Sequence, residues 1–203
     1  NDKKDSFATF TGNHMIIHGA KSYLQTYTEL SVLERTRYLT LERKIPEMNA
    51  NLKKLGGEAS KLNEVRKALN KQLSKLLEQK PPKSPFALEK LIYEKREQIK
   101  GQEKLLAEKS NQISAANRNK DKIINDIKAC VLWRVKCGQL HALMLAGDTL
   151  FAGGNNEIAA YSTANGKKTW SASVNGAALG IAVAHGRLLV STDKGTIHCF
   201  MSK

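Results

Sequence analysis

Three segments of this chain share one pattern, in which a glycine separates two runs of alternating apolar and polar residues. The glycines are Gly12, Gly147 and Gly186. A glycine turn between two half-buried strands is the usual signal of a β-hairpin. Gly147 and Gly186 are 39 residues apart, a spacing typical of repeats built from four strands. Gly12 and Gly147 are 135 residues apart, which exceeds one period by 96 residues. The chain is therefore predicted to be a repeat protein with one large insertion.

The insertion is predicted to be an antiparallel helical hairpin over residues 31–130. Apolar residues recur in alternating steps of three and four, the pattern of a coiled-coil seam. The first helix carries the seam residues Leu41, Ile45, Met48, Leu52, Leu55, Ala59, Leu62, Val65, Leu69, Leu73 and Leu76. The second carries Leu88, Ile92, Ile99, Leu106, Ile113, Ala116, Ile123 and Ile127. Two long helices that pack along one stripe are expected.

Prolines set the bounds of these helices. The pair at positions 81 and 82, with Pro85, cannot continue a helix, so the turn is placed at 80–84 between helices at about 41–79 and 85–128. Pro46 predicts a further break, and Ser31–Lys44 is expected to form a separate leading helix.

Four polar residues interrupt the seam of the second helix, namely Lys95, Gln102, Lys109 and Lys120. Polar side chains in a seam indicate an arm that stays partly solvated or that has a partner along that side. A partner-binding or self-associating arm is the favoured interpretation. The alternative is a tolerated surface insertion, because the entropy of loop closure grows slowly with length.

The strand pattern resumes after the insertion at Val131–Lys136. Further along, Asn165 and Gly166 are a sequence signal for a hairpin turn. Gly195 predicts a turn of the same kind in the last repeat. Trp133 and Trp170 hold equivalent places in successive repeats. A large ring at a fixed point of each repeat can fill the wedge between neighbouring sheets and pack against the turn of the next.

The second repeat resembles the pyrroloquinoline-quinone-type repeat, whose pattern is Ala-x-Asp-x-x-Thr-Gly-Lys-x-x-Trp. The matching residues are Ala160, Gly166, Lys167 and Trp170, whereas Ser162 replaces the Asp and Asn165 the Thr. The resemblance covers residues 6–30 and 131–203. It implies two to three four-stranded antiparallel blades of a larger β-propeller, so we expect the chain to be a fragment.

Such repeats occur in quinone-dependent alcohol dehydrogenases and in outer-membrane assembly lipoproteins that act as scaffolds without a cofactor. The dehydrogenases add calcium ligands, a vicinal disulfide and a catalytic Asp. This sequence has no adjacent cysteine pair, and Asp148 and Asp193 occupy turn positions. We therefore expect a non-catalytic scaffold or protein-interaction segment with no cofactor. The alternative is a piece of a quinone-dependent or other multidomain enzyme whose catalytic residues lie elsewhere.

The charge offers a third hypothesis. The net charge is +14, and residues 31–130 hold 23 basic and 13 acidic residues, a surplus of 10. A basic surface can bind nucleic acid or an anionic membrane. Here Lys and Arg are interleaved with Glu along a helical pattern, which favours a solvated coiled-coil surface over a nucleic-acid site.

The remaining reactive residues indicate no catalytic or metal site. Cys130, Cys137 and Cys199 are odd in number, so no closed disulfide framework follows, and the first two are expected to be buried thiols. This favours a reducing compartment, although the family resemblance also permits the periplasm. His14 and His18 lie at an even spacing on one strand face without an obvious third metal ligand. No apolar run is long enough to span a membrane.

Overall fold

The fold was taken from a computed structural model, which describes residues 12–78 and 85–201. A first antiparallel sheet contains four strands in chain order: β1 (His14–His18), β2 (Lys21–Gln25), β3 (Glu29–Glu34) and β4 (Val131–Lys136). The strand after the insertion thus pairs directly with the strand before it, and Val32 lies opposite Trp133.

The second antiparallel sheet has six strands, also in chain order. They are β5 (Ala142–Ala146), β6 (Thr149–Gly153), β7 (Asn155–Ser162), β8 (Lys168–Ala184), β9 (Arg187–Thr192) and β10 (Ile197–Met201). Strand β8 pairs with β7 through its first part and with β9 through its second. Gly176 lies between these parts with φ +96°, a backbone conformation that strongly favours glycine. One long strand therefore serves two successive repeats.

The turns of the hairpins correct one sequence prediction. The glycine between β1 and β2 is Gly19, with φ +55°, whereas Gly12 precedes β1. The predicted turns at Gly147, Gly186 and Gly195 are present, with φ of +56°, +69° and +72°. Gly12 and Gly19 flank the same strand, and it is Gly19, with its left-handed backbone, that closes the β1–β2 hairpin. Gly19 and Gly147 are 128 residues apart. This distance exceeds the repeat period of 39 residues by 89, which is the length of the insertion when it is measured from Gly19.

Three helices lie between β3 and β4: α1 (Arg35–Glu42), α2 (Lys44–Leu77) and α3 (Pro85–Ala129). The predicted leading helix is present as α1, but it begins at Arg35 and not at Ser31, because residues 31–34 pair with β2 and β4. The Glu34 amide also donates to the Cys130 carbonyl at 2.8 Å. The helical insertion thus starts and ends at neighbouring points of one hairpin, and the predicted turn at 80–84 lies outside the described residues.

The chain divides into two compact units, and we call the second, Leu41–Asp126, the arm. The other unit joins Asn1–Thr40 to Ile127–Lys203 and contains all the strands. Its core has two apolar clusters. The larger is centred on Tyr23, Leu30, Val32, Cys137, Leu150, Ala152, Ala159 and Tyr161, and the smaller on Ile158, Val174, Ala178, Leu188 and Val190.

Candidate interaction surfaces

Trp133 packs against the turn that joins β7 to β8. Its indole Nε1–H donates to the Thr163 carbonyl at 2.8 Å. Gly166 is buried with φ +72°, and a Cβ on it would lie 2.5 Å from the Trp133 ring. The left-handed backbone and the close approach both require glycine. The ring and the turn thus lock the four-stranded sheet to the six-stranded sheet. Lys167, next in the turn, is exposed, and its amide donates to Asn165 Oδ1 at 3.0 Å.

Trp170 holds the equivalent place in the next repeat, but its surroundings are more open. Its ring meets Phe200 edge-on with 5.3 Å between the centroids, and 38% of the residue is exposed. Among the residues that the structure describes, none accepts a hydrogen bond from its indole. The ring lines an open groove of about 710 Å³ on the six-stranded sheet, together with Phe151, Gly186 and Met201. We call this the Trp170 groove.

A buried polar network connects the two sheets near the start of β5. Its centre is Gln139, which is 7% exposed. Gln139 Oε1 accepts from the Tyr161 hydroxyl at 2.7 Å, and its Nε2 donates to Glu157 Oε2 at 2.7 Å. The Gln139 carbonyl accepts from the fully buried Gln25 side chain. Because buried amide groups are costly unless paired, this network specifies how the loop after β4 packs.

The ionisable members of this network have shifted pKa values. Burial, followed by the nearby Cys137 and Glu157, raises the pKa of the Tyr161 hydroxyl. It stays protonated at neutral pH and acts as a donor. The hydrogen bond from Lys168 lowers the pKa of Glu157, which stays ionised. Both polar atoms of the Gln139 side chain are thus hydrogen-bonded to groups in a fixed protonation state, which gives the network a structural role.

In the arm, the four predicted polar seam residues Lys95, Gln102, Lys109 and Lys120 are all half-buried. Lys109 Nζ lies 2.6 Å from Glu58 Oε2, which joins α3 to α2. The hydrogen bond from Lys109 lowers the pKa of Glu58. This ion pair sets the register in which the two helices meet.

The same register brings two further polar side chains into one layer of the seam. Eight residues beyond Glu58 lies Arg66, and seven residues before Lys109 lies Gln102, so the two are opposite each other. Arg66 is half-buried, whereas Val65, which was predicted to lie in the seam, is 47% exposed. The prediction for Val65 was wrong because strict alternation of four and three steps after Leu62 reaches Arg66. Within the described part of the arm, Arg66 Nε and Gln102 Oε1 are buried without partners.

The most exposed aromatic residues of the arm lie near the start of α3. Phe86 is 76% exposed and Tyr93 is 65% exposed. They are seven residues apart, or about two helical turns, so they share one face of the helix. The seam residues Leu88, Ile92 and Lys95 are half-buried on the other side. The sequence pattern did not single out this pair, although neither residue falls on the predicted seam and both could have been recognised as exposed on that ground.

In residues 12–78 and 85–201, no group of three His, Cys, Asp or Glu side chains could hold a metal ion. His14 Nδ1 instead pairs with Gln25 Oε1 at 2.7 Å, and Cys130 and Cys137 are both buried. No helix in the described part of the chain is long and apolar enough to cross a membrane.

Comparisons with known proteins bear on the strand repeats. Residues 120–202 match the family model described as outer membrane protein assembly factor BamB. A comparison with curated proteins gave no match. Among solved structures, the crystal structure of BamB from Moraxella catarrhalis is similar at 14% identity, with a TM-score of 0.33.

The similarity to that solved structure covers 36% of this chain and 24% of the BamB chain. The matched part thus spans about a quarter of the length of that BamB chain. That match begins in the last turns of α3 and includes β4–β10. It confirms the resemblance seen in the sequence over β4–β10, which are similar to pyrroloquinoline-quinone-type β-propeller repeats.

Proposed function

We propose that this chain is a non-catalytic protein-interaction segment whose arm carries the partner contact. The strands supply one four-stranded blade (β1–β4), a second (β5–β8) and three strands of a third (β8–β10). The family match supports an interaction role, since the matched model describes an assembly factor. In this proposal the blades are a scaffold and the arm is the recognition element.

The observation that carries the proposal is the exposed pair Phe86 and Tyr93. Large aromatic residues are enriched in protein interfaces and dominate their binding energy. Two of them on one helix face match the spacing by which a helix inserts into the groove of a partner. Neither contributes to the seam, so the stability of the arm does not require an aromatic residue at either position.

The charged surface of the arm fits a protein partner better than nucleic acid. Its Lys and Glu residues pair with each other along the helices, as in Lys67–Glu64 at 3.5 Å and Lys100–Glu97 at 3.9 Å. A polyanion would have to compete with these neighbouring carboxylates. Binding of a nucleic acid through its phosphates would weaken steeply as the salt concentration rises. This salt dependence distinguishes nucleic-acid binding from binding of a protein partner through the aromatic pair.

Site-specific photo-crosslinking in the native cell tests the proposal. A photoreactive phenylalanine analogue replaces Phe86 or Tyr93, and Asn111, an exposed polar residue of the same helix, serves as the matched control. We expect one discrete protein adduct from Phe86 and Tyr93 and none from Asn111. Equal adducts at all three positions, or none at Phe86 and Tyr93, would contradict the assignment.

A further inference from the structure

The two exposed aromatic residues of α3 have a lysine between them. Lys90 follows Phe86 by four residues and precedes Tyr93 by three, so the three side chains share one stripe of the helix. Lys90 is exposed, and none of the ion pairs within residues 41–78 and 85–126 involves it. The two rings begin about 10 Å apart along the helix axis. A partner that covers both rings therefore also covers the Lys90 ammonium group.

Covering this ammonium group constrains the chemistry of the partner. Removing a charge from water is costly unless an opposite charge and hydrogen-bond acceptors replace the water. A neutral or basic partner surface would leave Lys90 buried without a counter-charge. A surface with carboxylates beside its apolar groove would pair with Lys90 while the groove holds the rings.

The sequence around the aromatic pair carries most of the surplus positive charge of the arm. Residues 67–96, which end α2 and begin α3, hold eight basic and three acidic residues, a surplus of five. The remaining 56 residues of the arm hold 12 basic and nine acidic residues, a surplus of three. A surface of one sign attracts a partner of the opposite sign and speeds its association. The charge distribution and the position of Lys90 thus favour the same kind of partner.

We propose that the partner of the arm presents an apolar groove bordered by carboxylates, in which Phe86 and Tyr93 fill the groove and Lys90 pairs with an Asp or Glu. This inference rests on the function proposed above and specifies the partner's surface. It follows from residues of the insertion alone and does not involve the strand repeats.

An anionic membrane fits this face of α3 less well than an acidic protein. Glu89 lies three residues after Phe86, Glu97 lies four residues after Tyr93, and both carboxylates are exposed. A lipid surface presents negative charge at every point and would repel both of them. A protein groove can place its carboxylates opposite Lys90 and away from Glu89 and Glu97.

The test uses the full-length chain in the native cell, with a photoreactive phenylalanine analogue at position 93. Lys90→Glu reverses the charge between the rings, and Lys122→Glu is the matched control. Lys122 is exposed and lies 36 residues beyond Phe86, on the same side of α3 but about 54 Å away. Both variants change the net charge equally, and glutamate and lysine are similar helix formers. Circular dichroism of each purified variant checks that its helices are retained.

We expect Lys90→Glu to reduce the yield of the protein adduct by about fivefold or more, because a like charge then faces the partner's carboxylates. Lys122→Glu should keep the yield within about twofold of the parent, since its charge lies far beyond the screening length. The partner segment joined to position 93, identified by mass spectrometry, should contain more Asp and Glu than Lys and Arg.

Equal adduct yields in the two variants, or a partner segment with no acidic surplus, would overturn the acidic groove and leave the protein partner in place. The absence of any protein adduct in the parent would instead refute the proposed function. Sedimentation of the purified chain with vesicles of phosphatidylcholine and phosphatidylglycerol supplies a further outcome. If the chain binds these vesicles and the double variant Phe86→Ser and Tyr93→Ser does not, the occupant is a lipid surface and the inference is wrong.

Discussion

Replacing Gly166 with alanine tests how the two sheets are joined. Alanine in the left-handed backbone of this turn costs about 1–2 kcal/mol. Its Cβ would also lie 2.5 Å from the Trp133 ring and 2.9 Å from Val135 Cγ1, and overpacking of this kind costs about 1–3 kcal/mol. The variant is therefore expected to lose about 2–5 kcal/mol of unfolding free energy, a large share of the roughly 5–15 kcal/mol that domains possess.

The matched control is Gly147→Ala. Gly147 also has a positive φ, of +56°, but a Cβ there would have no atom within 4 Å. Only the backbone cost of about 1–2 kcal/mol applies. Urea unfolding is followed by tryptophan fluorescence, because both tryptophans lie in the strand unit. If Gly166→Ala is no more destabilising than Gly147→Ala, Trp133 does not pack tightly against the turn.

The remaining predictions concern the arm and the buried network. The substitution Gln102→Leu is expected to stabilise the arm by about 1–2 kcal/mol, because it replaces the buried, unpartnered Gln102 Oε1 with an apolar side chain; helix melting measured by circular dichroism checks this. The double variant Phe86→Ser and Tyr93→Ser should leave that melting temperature within a few degrees of the parent and abolish the photo-crosslink from a reporter on a neighbouring exposed position. Because the folded pKa of Glu157 is lowered, its stabilising contribution is present above the unfolded pKa and is lost as pH falls through the folded value. Between pH 7 and about pH 3, unfolding midpoints should thus fall further in the parent than in Glu157→Gln.

The repeat architecture could be predicted because its signals are local. The dipeptide Asn165-Gly166 requires a turn, and the ring of Trp133 needs a small residue opposite it. The strand that resumes after the insertion as β4 was predicted from its alternation, whereas β3 before it was missed in part because Ser31–Glu34 were assigned to a helix. The turn of the first repeat was misplaced because Gly12 and Gly19 flank the same strand, and the sequence does not show which has a positive φ.

The arm and the network show where the sequence pattern stops being informative. Val65 was placed in the seam because it is apolar. The register of the two helices decides which positions are half-buried, whatever their polarity, and here it places Arg66 in the seam and Val65 on the exposed side. Gln139 was not identified at all. Its role depends on partners on separate strands, such as Gln25 and Glu157, and no periodic pattern encodes such a meeting of side chains.

The central claim is that the arm binds the partner and the blades serve only as a scaffold. Removing the arm tests this claim most directly. Because Glu34 and Cys130 are hydrogen-bonded at its base, residues 35–129, which include α1, α2 and α3, can be replaced by a copy of the turn Thr163–Gly166. The protein identified by crosslinking at Tyr93 is then titrated into the full chain and the shortened chain by calorimetry, with tryptophan emission as the check on folding. We predict native emission in the shortened chain and binding at least a hundredfold weaker than that of the full chain. Equal binding by the two chains would place the partner on the blades and contradict the account.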